Sequence, residues 1–156
     1  MPRLILLVDD EPASLEMLAG ALRRAGHLVI TASSGIHAQR ALKCATFDIV
    51  VTDIFMPDMD GIELIRHICT TGQLMPIIAM SSGQGAGTGF LSIATALGAD
   101  MVLPKPVLPS DLLRAVEQVA VDPTRGVRRT AQTSSFECSA MVSSEDSDLL
   151  SRSGRS

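Results

Sequence analysis

Residues 51–64 read VTDIFMPDMDGIEL. An apolar run delivers Asp53 and is followed at once by Pro57, Asp58, Asp60 and Gly61. A carboxylate at the end of a buried strand needs a partner or a task, because an unpaired buried charge is costly. Whether this stretch is a strand end depends on the rest of the chain. Five short apolar runs are present: LILLV (4–8), LVITA (28–32), DIVVT (48–52), PIIAM (76–80) and MVL (101–103). Their hydrophobicity is continuous rather than alternating, which predicts strands covered on both faces, as in a parallel sheet between two helical layers.

Segments with helical spacing separate the runs. Pro12 to Ala25 places Leu15, Leu18, Leu22 and Ala25 three or four residues apart, with Pro12 in the first turn and Gly26 at the stop. Ile36 to Ala45 carries Ala38, Ala41, Leu42 and Ala45 on one side. A third helix follows Gly61, with Ile62, Ile65 and Ile68 or Cys69 inward. A fourth, about Phe90 to Leu97, groups Leu91, Ala94 and Leu97. The fifth starts at Ser110 as an N-cap and runs through Leu112, Leu113, Val116 and Val119 or Ala120. Strands and helices alternate with short connections, which predicts an α/β fold: an open, doubly wound, five-stranded parallel sheet with five helices and right-handed crossovers.

Composition sets the outer bounds. The chain has 156 residues, 46% of them hydrophobic, enough for the core of one domain. A net charge of −4 and the absence of Trp and Tyr leave neither an electrostatic footprint nor stacking platforms for nucleic acid. No apolar stretch is long enough to span a bilayer, and the opening MPRLILLVDDEP turns acidic too soon for a secretory leader, so a cytoplasmic location is expected. Cys44, Cys69 and Cys138 are odd in number and far apart, which fits reduced structural thiols. His27, His37 and His67 lack metal-ligand spacing and read as surface or capping residues. Residues 1–122 form the predicted domain. Residues 123–156, rich in Ser, Thr and Arg, are expected to form a disordered tail in which the RGVRR cluster is solvated.

Ligands of such sheets collect at the carboxyl ends of the strands. The first run ends in VDDEP, bringing Asp9, Asp10 and Glu11 to that edge, and the third brings Asp53. Carboxylates gathered there repel one another unless a cation sits among them, and a hard, oxygen-seeking ion such as Mg²⁺ suits the set. The fourth run ends in MSSG, with Ser81 at the rim, and the fifth in LPKP, with Lys105. A carboxylate nucleophile, a metal and two donors for a transferred group together describe phosphoryl chemistry.

The motifs VDDEP, DIFMPDMDG, MSS and PKP, in this order and at these spacings, resemble the receiver domain of two-component response regulators over residues 4 to about 121. The resemblance implies a flavodoxin-like strand order 2-1-3-4-5, one of the two common orders of doubly wound sheets. It implies that Asp53 is the phosphoacceptor, Asp10 a direct Mg²⁺ ligand, and Asp9 a ligand through water or a close supporting charge. The Phe55 backbone carbonyl completes the metal's shell by the same match, Ser81 is the switching hydroxyl and Lys105 the cation that grips the phosphoryl group. Lys105–Pro106 corresponds to a cis peptide, which an X-Pro bond makes accessible.

Two departures stand out. Val102 occupies the position where many relatives carry a rotating aromatic, so that readout is missing. Phe55 and Gly83 stand where fast-turning relatives carry polar side chains that place an attacking water, so slow loss of the phosphoryl group is expected. The glycines of SSGQGAGTGF spell neither GxGxxG nor a Walker sequence.

The expected function is therefore that of a single-domain response regulator in a phosphorelay. It would receive phosphoryl groups from a histidine kinase or histidine phosphotransfer protein and act on a protein effector through the face of the fourth helix, fifth strand and fifth helix. Homodimerisation is open. It would be a switch with weak intrinsic phosphotransfer and hydrolysis, not a metabolic enzyme, binding neither nucleic acid nor membrane directly. The alternatives are a phosphorylation-independent adaptor, a flavodoxin-like cofactor carrier, which acids at the phosphate site oppose, and an aspartate-based phosphatase, which the missing DxD pair opposes.

Overall fold

The computed structural model describes residues 1–82, 95–96 and 98–121. Five strands, β1 (Leu4–Val8), β2 (Leu28–Ala32), β3 (Ile49–Asp53), β4 (Ile77–Ser82) and β5 (Met101–Lys105), form one parallel sheet in the order β2-β1-β3-β4-β5. The described helices are α1 (Pro12–Arg24), α2 (Gly35–Cys44), α3 (Gly61–Thr70) and α4 (Pro109–Val121), the last corresponding to the fifth predicted helix. The fourth predicted helix, apart from Thr95 and Ala96, and the predicted tail lie outside the described residues.

Both sheet faces are covered, as the unbroken apolar runs require. On one side Leu6, Val8, Val50, Ile77 and Ala79 pack with Ala38 and Leu42 of α2 and with Leu64, Ile65 and Ile68 of α3. On the other, Ile5, Leu7, Ile49, Val51, Ile78 and Met80 meet Leu18 and Leu22 of α1 and Leu112, Val116 and Val119 of α4. The central strands are thus sealed between two apolar layers.

Several sequence expectations need correction. Among the described residues β2 is an edge strand, and Leu28 and Ile30 are 64% and 41% exposed, so it is not covered on both faces. An apolar run does not disclose its place in the sheet. Ala25 is exposed beyond the end of α1, whereas Leu64 of α3, outside the predicted stripe, is fully buried. Ser110 is not the cap of the last helix. That helix begins one residue earlier, at Pro109, and the Leu108 carbonyl accepts from the N–H groups of Asp111 and Leu112. Proline's fixed φ and missing N–H suit the first helical position and set this start. In α2 and α3, side-chain caps do set the start: Ser34 Oγ accepts from the His37 N–H at 3.2 Å, and Asp60 Oδ1 from the Glu63 N–H at 2.8 Å.

The sheet is also tied at its amino-terminal edge. Asp48 Oδ2 accepts from the Leu4 N–H at 2.7 Å, and Asp100 Oδ2 from the Ile77 N–H at 2.8 Å. These two carboxylates are taken up by backbone donors at the starts of β1 and β4, leaving the chemistry to the opposite edge.

Candidate functional site

The register brings the acids level with one another. Val8 pairs with Thr52, so Asp9, one residue past β1, stands beside Asp53, the last residue of β3. Asp53 pairs with Met80, and Ser81 with Pro104, which places Ser81 and Lys105 at the same carboxyl edge on β4 and β5. All the predicted side chains from the four strand ends arrive at one rim.

Asp9, Asp53 and Ser81 are buried, with Asp9 at 0% and Asp53 at 4% exposure, while Asp10 is exposed. Lys105 Nζ donates to Asp53 Oδ2 at 2.7 Å and to Asp9 Oδ2 at 3.2 Å. One ammonium thus bridges two buried carboxylates. The other oxygen of each is held by its own loop: Asp9 Oδ1 accepts from the Glu11 N–H at 3.0 Å, and Asp53 Oδ1 from the Phe55 N–H at 3.2 Å. The role of Asp9 as an acceptor for Glu11 is one the sequence reading misses; the i, i+2 spacing of an aspartate before a helix start is the signal that points to it.

Burial pushes the Asp53 carboxyl above its ordinary value of 3.8, and the repulsion of Asp9 adds to this, despite the opposing pull of Lys105 and the Phe55 N–H. For Lys105, burial disfavours the charge, yet bonding and attraction to Asp53 and then Asp9 outweigh it and raise the ammonium above 10.5. The directions agree on one point: two acids share one base in a poorly solvated place, so negative charge is in excess.

That excess is what a cation would relieve. Ligand oxygens of Asp9, Asp10 and Asp53 lie within 4.8 Å of one another. The donor set is all oxygen, with one solvent-facing carboxylate, which fits a hard ion that retains water, such as Mg²⁺. Phe55, expected to contribute its carbonyl, lies two residues on in the loop and is 44% exposed. Val102 is half-buried against the α2–α3 side of the core. Gly83 lies outside the described residues.

The loop behind Asp53 is shaped by close contacts. The Gly61 N–H donates to the Ile54 carbonyl at 2.8 Å, and a Cβ on Gly61 would overlap the Asp53 carbonyl oxygen. Asp58 takes φ 70°, a left-handed conformation that aspartate tolerates better than most residues. Met59 in turn seats against Gly35 at the start of α2, where a Cβ would fall 2.6 Å from its Cγ. The Lys105–Pro106 peptide is cis, as the resemblance implied.

Known proteins supply the remaining comparison. Residues 5–117 match the profile of the response regulator receiver domain. The chain is 31% identical over 119 residues to the alkaline phosphatase synthesis transcriptional regulatory protein PhoP of Bacillus subtilis, covering 76% of this chain and 49% of that protein. It is 34% identical over 113 residues to the response regulator MprA of Mycobacterium sp. (strain KMS), covering 72% and 48%. The chain thus matches about half the length of these curated relatives. Among solved structures, the chemotaxis response regulator CheY4 of Vibrio cholerae superposes with a TM-score of 0.71 at 29% identity, over 76% of this chain and 99% of that one. A response regulator receiver domain protein from Clostridium thermocellum gives 0.67 at 32% identity, over 75% and 93%. With the acid cluster, the bridging lysine and the 2-1-3-4-5 sheet in place, the chain belongs to the response regulator receiver domain family.

Proposed function

We propose that the protein is a phosphorylation-operated switch in which Asp53 is the acceptor. The carrying observation is the Lys105 ammonium held 2.7 Å from Asp53 Oδ2 beside two further carboxylates. An Asp53 oxygen attacks the phosphorus of a phosphohistidine in line; the new O–P bond forms as the P–N bond breaks, and the imidazole nitrogen leaves with the electron pair and takes up a proton. Lys105 donates to an oxygen of the transferred group and Ser81 supplies a hydroxyl at the same rim. Asp9, Asp10, Asp53 and the Phe55 carbonyl would hold Mg²⁺, which when bound offsets the charge of the phosphoryl oxygens.

The resulting acyl phosphate adds negative charge at the ends of β3 and β4 and biases an equilibrium between two packings of the adjoining elements. Output runs through β5, α4 and the segment preceding β5 to a protein partner, with a histidine kinase or phosphotransfer protein as donor. The reading of a cytoplasmic regulator that binds neither nucleic acid nor membrane directly, and is a switch rather than a metabolic enzyme, belongs to this proposal. The negative net charge supports the part of it that concerns nucleic acid; among the described residues no helix is long and apolar enough to cross a membrane.

Incubation with acetyl phosphate tests the proposal. Intact mass spectrometry is expected to show one added phosphoryl group in the presence of Mg²⁺, none with EDTA and none in Asp53→Asn. An unmodified wild-type chain under the first condition would leave the phosphorylation-independent adaptor as the better reading.

A further inference from the structure

Thr52 stands between an apolar run and Asp53 at the end of β3. It is fully buried, and its strand partners are Val8 on β1 and Ala79 on β4. Both partners, like Val50 two residues earlier, pack on the α2–α3 side of the sheet, so alternation turns the Thr52 side chain into the same apolar layer. Valine has the same shape without the hydroxyl, and burying a hydroxyl among hydrocarbon is unfavourable unless it is bonded. Packing alone gives no reason for threonine at this position.

The bond that the hydroxyl makes supplies one. Thr52 Oγ1 donates to the Asp53 carbonyl at 3.0 Å. That carbonyl belongs to the peptide between Asp53 and Ile54, whose N–H end donates to the Met80 carbonyl of β4 at 2.9 Å. The following peptide is also held at both ends: the Ile54 carbonyl accepts from the Gly61 N–H at 2.8 Å, and the Phe55 N–H donates to Asp53 Oδ1 at 3.2 Å. Two successive peptides are thus fixed in series, and the second holds the carboxylate. With Oδ1 on Phe55, Oδ2 is left to Lys105 at 2.7 Å. Loss of the hydroxyl would free the carbonyl end of the first peptide, and because the two peptides meet at the Ile54 Cα, the loosening would reach the Phe55 N–H.

We propose that Thr52 is a positioning residue for phosphoryl transfer: its hydroxyl orients the Asp53–Ile54 peptide and, through Phe55, the Asp53 carboxylate, without touching the reacting atoms. This inference rests on Asp53 being the acceptor. In-line attack accepts a narrow range of carboxylate orientations, so a small loss of alignment costs rate.

Two pairs of full-length chains that differ by the hydroxyl alone test it: wild type against Thr52→Val, and Thr52→Ser against Thr52→Ala. Within each pair the initial rate of phosphorylation by acetyl phosphate in Mg²⁺, read by intact mass spectrometry, is expected to fall about ten-fold when the hydroxyl is removed, with Thr52→Ser close to wild type. Either pair decides the matter if a member of the other fails to fold. Amide hydrogen exchange, read by NMR without Mg²⁺ or phosphodonor, gives a second measure. The Phe55 and Gly61 amides should exchange several-fold faster in the chains lacking the hydroxyl, while those of Leu6 and Val50 stay as protected as before. Acceleration of all four alike would mean a general loss of stability and would overturn the positioning role. Equal phosphorylation rates within a folded pair would overturn this inference and leave the acceptor in place. A wild type that takes up no phosphoryl group would overturn the acceptor reading and this inference with it.

Discussion

Gly61, the first residue of α3, lies against the backbone of Asp53, and a methyl group built on it would sit 2.7 Å from the Ile54 Cα, 2.9 Å from the Asp53 carbonyl carbon and in collision with the Asp53 carbonyl oxygen. The obstacle is main chain, which cannot swing aside. Gly61→Ala is therefore expected to lose about 3 kcal/mol of stability, at the upper end for overpacking. It should also slow phosphorylation of Asp53, because the peptide that must shift belongs to that residue. Urea denaturation gives the first quantity and the acetyl phosphate assay the second; a variant as stable as wild type would refute the close packing.

Lys105 neutralises two acids that are otherwise buried, so Lys105→Met is expected to lose about 2 kcal/mol in metal-free buffer at neutral pH, in the range for a charged hydrogen-bonding partner. The pH dependence has a definite sign. The folded-state pKa of Lys105 is raised above 10.5, so its contribution is fully present below that pH and is lost as pH rises through the folded value. Urea titrations from neutral to strongly alkaline pH should show the gap between wild type and Lys105→Met closing only above pH 10.5. A gap that closed near neutrality would contradict the ion-pair assignment.

Asp53 works in the opposite sense. Its folded pKa is raised, so the ionised carboxylate detracts from stability above that pKa and the penalty is relieved as pH falls through it. Asp53→Asn removes the charge while keeping an acceptor for Lys105. In EDTA the variant should melt at a higher temperature than wild type. Adding Mg²⁺ reverses the comparison: wild type gains about 2.7 kcal/mol at a hundred times its dissociation constant, and the variant, lacking a ligand, gains much less at the same concentration. Thermal melts with and without the ion check both halves.

Phe55 sits at the rim of the site with its ring partly in solvent. That ring offers no hydrogen-bonding group to a water approaching Asp53, so the phosphorylated chain is expected to persist for minutes or longer in Mg²⁺. Phe55→Asn should shorten that lifetime several-fold without altering the initial rate of phosphorylation by acetyl phosphate. Loss within seconds in the wild type, followed by acid-quenched mass spectrometry, would count against the slow-turnover reading.

The carboxyl-edge residues were legible in the sequence because a strand end is written locally: an apolar run stops and a polar residue with no other reason to be there follows. Asp9, Asp10, Asp53, Ser81 and Lys105 all announce themselves this way, and the strand order came from their joint resemblance. Features that depend on a neighbour from elsewhere in the chain were not legible. LVITA reads like the other runs, yet among the described residues β2 pairs on one side only, and much of it is exposed. Ser110 looks like a cap until Pro109 is seen to start the turn before it. The seating of Met59 on Gly35 joins loops 24 residues apart in number, and neither residue type signals it.

The division of Asp9 between two donors has a consequence for how the pocket responds to an ion. With Oδ1 on the Glu11 amide and Oδ2 on Lys105, this carboxylate is fixed before anything binds. Asp10, facing solvent, can exchange water for a cation with little conformational adjustment. Rearrangement is thereby left to the exposed arm rather than the tethered hub, so the geometry around the acceptor should be the same before and after the ion arrives.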